Sequence, residues 1–342
     1  MTRVYVGMSG GVDSSVTAAL LVEQGYEVTG VYMKNWSQDL PGMKCPWAED
    51  LADAKRVAVQ LGIDFKVFDF EREYKQKVVD YMIDEYKLGR TPNPDIMCNQ
   101  EVKFKLFLEA ALEDGADMIA TGHYARTKDG KLLKAIDDNK DQTYFLYRVT
   151  SIALEKTLFP LGDYTKAQVR ELARERGLWT AQKKESMGVC FVGQVGVREF
   201  LSQYVTSSPG AIIDSDTKKV LGQHDGALFY TLGQRHGLDV GGGLPYYVVG
   251  KDMDKNEVYV SRNLNDPSMW QTELALTAVH WVNDAPKDGE PLLARLRHRG
   301  ELLPAKFHDG VAHLEKPERA AAAGQSIVLY RGDEALGGGI IV

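Results

Sequence analysis

The sequence predicts an α/β protein: a doubly wound parallel sheet in its first half, then two small β domains, the last of them barrel-like. Three observations carry this. Near-continuous apolar strands alternate with amphipathic helices through the first two hundred or so residues, a pattern that places helices on both faces of a parallel sheet. Past residue 205 short strands follow one another, separated by Gly, Asp and Asn turns. An Asn-Asp-Pro stretch at 265–267 punctuates that second half. The expected domains are therefore 1–204, 205–266 and 267–342.

In order, Val4–Met8 reads as a strand and Ser14–Gln24 as the helix after it, closed by Gly25. Val28–Met33 is the second strand. Glu49–Leu61 is an amphipathic helix closed by Gly62, and Phe65–Phe70 follows as a strand. Glu101–Glu113 is helical, and Met118–Thr121 is a short buried strand. Thr165 and Gln168 fit a capping box for a helix ending near Arg176. Strands are then expected at Ala211–Ile213, Lys219–Leu221, Tyr246–Gly250 and Val258–Ser261. The last domain should contribute Leu274–His280, Leu292–His298, Ala305–His308, Val311–Leu314 and Ile327–Tyr330.

Composition narrows the function classes. The formal net charge of −7 argues against a generic basic nucleic-acid binder, although a local basic surface can still steer a polyanion. No apolar run approaches the roughly 20 residues of a membrane span. The first strand starts by about residue 3, which leaves no room for a secretory signal. Cys45, Cys98 and Cys190 do not make a disulfide framework, and thiols in a reducing cytoplasm are expected.

Between the first strand and first helix lies M-S-G-G-V-D-S-S, residues 8–15. It has no Lys, so it is not a Walker loop, and Gly7, Gly10 and Gly11 have the wrong spacing for a dinucleotide fingerprint. It still suits an anion. The glycines let backbone approach closely, Ser9, Ser14 and Ser15 offer hydroxyls, and the helix start favours negative charge. Asp13 makes sense there as a helix cap, or as a carboxylate that a magnesium ion bridges to phosphates.

Two cysteine segments add chemistry. In G-R-T-P-N-P-D-I-M-C-N, two prolines stiffen the backbone around Asp95 and Cys98. The expected place is a loop or the start of a helix near Asn99, where a thiolate would be stabilised. In K-K-E-S-M-G-V-C-F-V-G, apolar neighbours suit a strand around Cys190, and Lys183 and Lys184 could lower its pKa by folding back. Cys45 reads as structural or incidental.

S-G-G-V-D-S at Ser9–Ser14 resembles the pyrophosphate loop of the N-type ATP pyrophosphatases, which have the adenine nucleotide alpha hydrolase-like fold and cleave ATP to AMP and pyrophosphate. Further segments resemble the bacterial tRNA-specific 2-thiouridylases: P-N-P-D-I-M-C-N, A-T-G-H-Y-A-R, K-D-Q-T-Y-F-L, M-G-V-C-F-V-G, Y-T-L-G-Q-R-H-G-L and L-P-Y-Y-V-V, in order over nearly the whole chain. The resemblance implies an ATP-dependent sulfurtransferase. AMP is transferred to the carbon-2 oxygen of the wobble uridine, and sulfur from a protein persulfide then displaces it. Cys190 matches the persulfide carrier, supplied by a sulfur-relay protein or a cysteine desulfurase. Cys98 matches the second catalytic cysteine, and Asp95 an acid/base. A Cys98–Cys190 disulfide would form and need reduction. ATP would be held by Gly7, Met8, Ser9, Gly10, Gly11, Val12, Asp13, Ser14, Met33 and Gly122, with Mg²⁺ at Asp13. The tRNA would be contacted by Asn93, Pro94, Asp95, His123, Lys140, Asp141, Gln142, Arg297, His298 and Gln325.

From the residues themselves, R-L-R-H-R places Arg295, Arg297 and Arg299 on one face if it is a strand, a stripe suited to phosphates. His298 departs from the aromatic Tyr expected by resemblance, which puts a stacking role in doubt. The alternative function is another pyrophosphatase-superfamily ligase with a different acceptor, which would not need two distant cysteines.

Overall fold

The computed structural model describes residues 1–39, 45–184, 196–241, 244–263 and 265–342. The first domain is built on β1 (Arg3–Gly7), β2 (Glu27–Lys34), β3 (Asp64–Asp69) and β4 (Met118–Thr121), with a hairpin β5 (Arg126–Lys128)–β6 (Lys131–Leu133) and a two-residue β7 (Thr157–Leu158). Its sheet runs β3-β2-β1-β4-β7, all parallel. Helices α1 (Val12–Glu23) and α2 (Trp47–Leu61) link the first three strands. The chain steps outward from β1 to β3, then crosses back to place β4 on the other side of β1. That reversal opens a crevice at the strand ends, where α/β sheets bind ligands. The core strands are buried as the apolar runs required: Val4, Val6, Val31, Ile119 and Ala120 have no exposed surface.

The expected elements form, with shifted ends. Gly25 and Gly62 follow their helices in left-handed backbone, and Thr165 and Gln168 complete the capping box of the helix Lys166–Glu175. One helical stretch was not anticipated. Residues 71–87 form a continuous helix with a π-type middle, burying Tyr74, Val78, Val79, Met82 and Ile83. The helix expected near Asn99 begins earlier, at Pro94, and runs unbroken to Glu113 through a π-type segment Cys98–Leu106. Asn93 explains the earlier start. Its Oδ1 accepts from the Asp95 and Ile96 amides, and Pro94 occupies the first helical position, where no N–H is needed.

The middle of the chain forms a four-stranded sheet from β8 (Gly210–Asp214), β9 (Val220–His224), β10 (Tyr247–Asp252) and β11 (Glu257–Ser261), in the order β10-β11-β8-β9. The last part adds β12 (Trp270–Trp281), β13 (Leu292–Arg295), β14 (Leu303–His308), β15 (Val311–Arg319), β16 (Ser326–Arg331) and β17 (Glu334–Ile341). Pairing of β12 with β17 closes these six strands into a barrel, which leaves them no free edge. The β5–β6 hairpin of the first domain pairs with β17, so the barrel is welded to the parallel-sheet domain. Among the described residues, no helix is long and apolar enough to cross a membrane.

Candidate active site

The eight-residue loop turns at the end of β1, in the crevice between β2 and β4. Gly11 is the N-cap of α1 and has no side chain to cap it, so the first amides of the helix are left for a ligand. A Cβ on Gly10, whose φ is +74°, would run into the Asp50 carbonyl oxygen, and one on Gly122 would stand 2.8 Å from the Ser14 nitrogen. Both close approaches shape the cradle. The Ser14 hydroxyl donates to the Gly11 carbonyl at 3.1 Å and accepts from the Ser9 amide at 3.2 Å. Ser15, read as a further ligand hydroxyl, instead points inward. It donates to the Gly11 carbonyl and accepts from Thr180.

Asp13 is not the helix cap. Its carboxylate accepts from the Lys166 ammonium at 2.7 and 2.8 Å and from the Tyr124 hydroxyl at 2.8 Å. Lys166 is the first residue of the capping-box helix, which packs Val169 and Ala173 against Val12, Val16 and Ala19 of α1. That packing delivers to the loop the lysine its own sequence lacks. Sequence reasoning missed Lys166, because nothing local distinguishes it from a surface lysine at a helix start. Among the described residues, no three His, Cys, Asp or Glu side chains cluster as a metal cage. Asp13 offers one carboxylate there, and one or two carboxylates suffice for a magnesium ion that arrives with a triphosphate.

The loop opens into a cavity of about 510 Å³. Gly7–Ser9, Gly11–Ser14, Met33 and Gly122 line one end; Asp95, Asn99, Lys103, His123, Lys140, Gln142 and Phe145 also line it. The segment before Asn93 is clamped by both β domains: the Thr91 amide donates to the Ala323 carbonyl at 2.8 Å, and the Thr91 and Thr231 hydroxyls are 3.0 Å apart. Asp95 is a wall residue of the cavity, and Asn93 caps the helix. Burial pushes the Asp95 carboxyl above its usual range, with the Lys103 charge opposing. Burial first, and Lys103 second, hold the His123 imidazole well below its ordinary value. Its Nδ1 lies 2.8 Å from the Thr121 hydroxyl and its ring packs against Phe104 and Phe159.

Cys98 lies one turn beyond Asp95, buried among Trp36, Val78, Val102 and Phe200. It is inside the helix rather than at its start. Cys190 and its M-G-V-C-F-V-G segment lie outside the described residues. Lys183 pairs with Asp50 and Asp53 of α2. Lys184 lines the cavity, as does Cys45, whose thiol donates to the Trp36 carbonyl at 3.6 Å and is pushed up by burial.

The expected RNA contacts divide. Lys140 and Gln142 line the cavity; the Gln142 side-chain oxygen accepts from the Tyr124 amide. Asp141 between them is buried, pairs with Arg295 at 2.8 Å and accepts from Thr143 and the Ala135 amide, so it has no face toward solvent. The arginine stripe does not exist. The strand ends at Arg295, which is buried; Arg297 is exposed and paired with Glu318; Arg299 turns back to the Asn139 carbonyl. His298 packs its ring 4.7 Å from Phe145, and burial holds it down at about 4. Gln325 sits in the turn before β16, half-buried, its carbonyl accepting from the Ile341 amide.

Residues 2–194 match the family model described as tRNA methyl transferase HUP domain, 198–262 the tRNA methyl transferase PRC-barrel domain, and 271–341 the aminomethyltransferase beta-barrel domain. Curated relatives bear the name tRNA-specific 2-thiouridylase MnmA. The one from Geobacillus thermodenitrificans is 48% identical over 99% of this chain and 94% of its own length. That from Bacillus subtilis is 47% identical over 99% of this chain and 95% of its own length. The one named tRNA-specific 2-thiouridylase MnmA 2, from Geobacillus kaustophilus, is 48% identical over 99% of this chain and 94% of its own length. Identity of this degree across the whole chain shows the family: this protein belongs to the tRNA-specific 2-thiouridylases.

Proposed function

We infer that this chain uses ATP to activate the carbon-2 oxygen of a tRNA wobble uridine and replaces that oxygen with sulfur. The observation that carries the reading is a single cavity onto which both the phosphate loop and the Asp95–Asn99 turn open. The family-model descriptions name methyl transfer, but a phosphate cradle beside a cysteine-bearing helix suits nucleotide activation followed by thiol chemistry.

Uracil O2 attacks the α-phosphorus of ATP, and the bond from that phosphorus to the bridging oxygen breaks. Pyrophosphate leaves into the Gly10–Ser14 cradle, with Lys166 beside it to offset its charge. Asp13 would hold a magnesium ion, which when bound supplies further charge neutralisation at the phosphates. The O2-adenylated base carries no N3 proton, so a base must accept it. Asp95, on the cavity wall with its carboxyl raised above the usual range by burial, suits that task. The terminal sulfur of a Cys190 persulfide, loaded by a relay protein or a cysteine desulfurase, then attacks C2, and AMP departs. The Cys98 thiolate attacks the Cys190 sulfur, which releases 2-thiouridine as N3 regains its proton. A Cys98–Cys190 disulfide remains, to be reduced by an external thiol. Release of hydrosulfide by Cys98 before attack gives the same products.

Mass spectrometry of tRNA after incubation with ATP, magnesium and a persulfide donor tests this. Sulfur in place of oxygen at the wobble uridine is the expected result. Pyrophosphate release with no such exchange would move the protein to another acceptor.

A further inference from the structure

We propose that Asn99 reads the target base: its Oδ1 accepts the N3–H of uracil, and thereby rejects cytosine. The proposal deepens the functional reading above and rests on it. Asn99 is 3% exposed, lines the cavity, and stands four residues beyond Asp95, so both project from one helix face. Its amide orientation is fixed by chemistry. The side-chain nitrogen lies 3.1 Å from the Phe145 carbonyl oxygen, and a carbonyl only accepts, so Nδ2 must face it. Oδ1 is then left buried with no donor among the described residues. A buried acceptor without a partner is destabilising unless a ligand completes it, which makes the wall of a binding cavity the natural place for one.

Uracil offers one ring donor, N3–H, between two carbonyl acceptors. Cytosine offers an acceptor at the same ring position. Asn99 Oδ1 therefore satisfies uracil, whereas with cytosine two acceptors would face each other, both unmet. Phe145, whose carbonyl orients the amide, also lines the cavity, and His298 packs behind its ring. The same N–H that Asn99 holds during docking is the proton Asp95 must remove on adenylation. The amide thus presents the base to the carboxylate one turn away and acts as a positioning residue.

The test uses the full chain and tRNA transcripts that differ only in uridine or cytidine at the wobble position. Binding, tRNA-dependent pyrophosphate release and the KM for ATP are measured for wild type, Asn99→Ala and Asn99→Ser. In the wild type, uridine transcripts should bind about tenfold tighter than cytidine ones, and the variants should bring the two near parity with ATP KM unchanged. Wild-type protein should also bind a 3-methyluridine transcript as weakly as the cytidine one, a result that does not depend on any variant folding. An unchanged uridine preference in an active variant overturns the assignment, as does a rise in ATP KM alone, which would turn the amide toward adenine. Wild-type protein that releases no pyrophosphate with any transcript overturns the functional reading and this assignment together.

Discussion

The two ends of the cavity are built by different means. At the loop end the contacts are backbone amides, a helix start and one ion pair, Asp13–Lys166, all of which answer to charge and to little else. At the other end single side chains stand out: Asp95, Asn99 and Phe145 on the wall, with Cys98 packed behind them. A backbone cradle suits any nucleotide triphosphate, which is why its motif marks a superfamily. A wall of individual side chains suits one acceptor. On the proposed function, the energy-yielding half of the reaction is generic in its chemistry, and the specificity lies with the half that would face the base.

That division is broken or sharpened most strongly by Cys98→Ser. Serine nearly preserves the buried volume but cannot exchange with a disulfide. Thiolation should fall to background while tRNA-dependent pyrophosphate release persists. Equal loss of both in a well-folded variant would mean that the two ends do not act separately. Lys166→Met is the converse. Removing a cation from a preorganised anion site costs about 100-fold in comparable sites, so pyrophosphate release should fall by about that factor while tRNA affinity holds. A change in tRNA affinity instead would place Lys166 outside the phosphate site.

The same two ends differ in how far the sequence discloses them. The loop was legible because its chemistry is local: glycines, serines and a helix start within eight residues. Its lysine was not, because Lys166 reaches Asp13 only through the packing of one helix on another, 153 residues away in the chain. The parallel sheet was readable from apolar strands alternating with helices. Helix 71–87 was not, because its buried positions are interrupted by Lys, Gln, Asp and Glu. Strand β17 was missed because three consecutive glycines, 337–339, carry no β signature, yet it closes the barrel. The stripe of arginines failed for a tertiary reason. Alternation was correct as far as Arg295, but that residue turns inward to meet Asp141.

That buried pair sharpens the comparison further. Lys140 and Gln142 face the cavity while Asp141, between them, faces the barrel, so one short segment both lines the site and ties two domains together. Asp141→Ala leaves Arg295 buried and unpaired, a loss of roughly 3–5 kcal/mol in chemical denaturation. Replacing both residues, Asp141→Leu with Arg295→Met, should recover much of that. Folded Asp141→Ala protein should bind tRNA as wild type does; weaker binding would give Asp141 a contact that its burial denies it.

The smallest expected effect lies behind the base end, at His298. Burial against Phe145 holds its folded pKa at about 4, from an ordinary value near 6.5. Between those values the unfolded chain binds the proton and the folded one does not, so stability rises with pH there. The contribution is complete above about pH 6.5 and lost progressively as pH falls toward 4. His298→Phe keeps a ring against Phe145 and removes the titration. Its melting temperature should therefore fall less than that of wild type across that window, with little difference above pH 7. Parallel curves would mean that the ring is not confined there. ATP-dependent steps should show no difference between the two proteins at neutral pH. Any difference should appear in tRNA binding alone, because His298 backs the wall residue Phe145 and is not one of the residues that line the cavity.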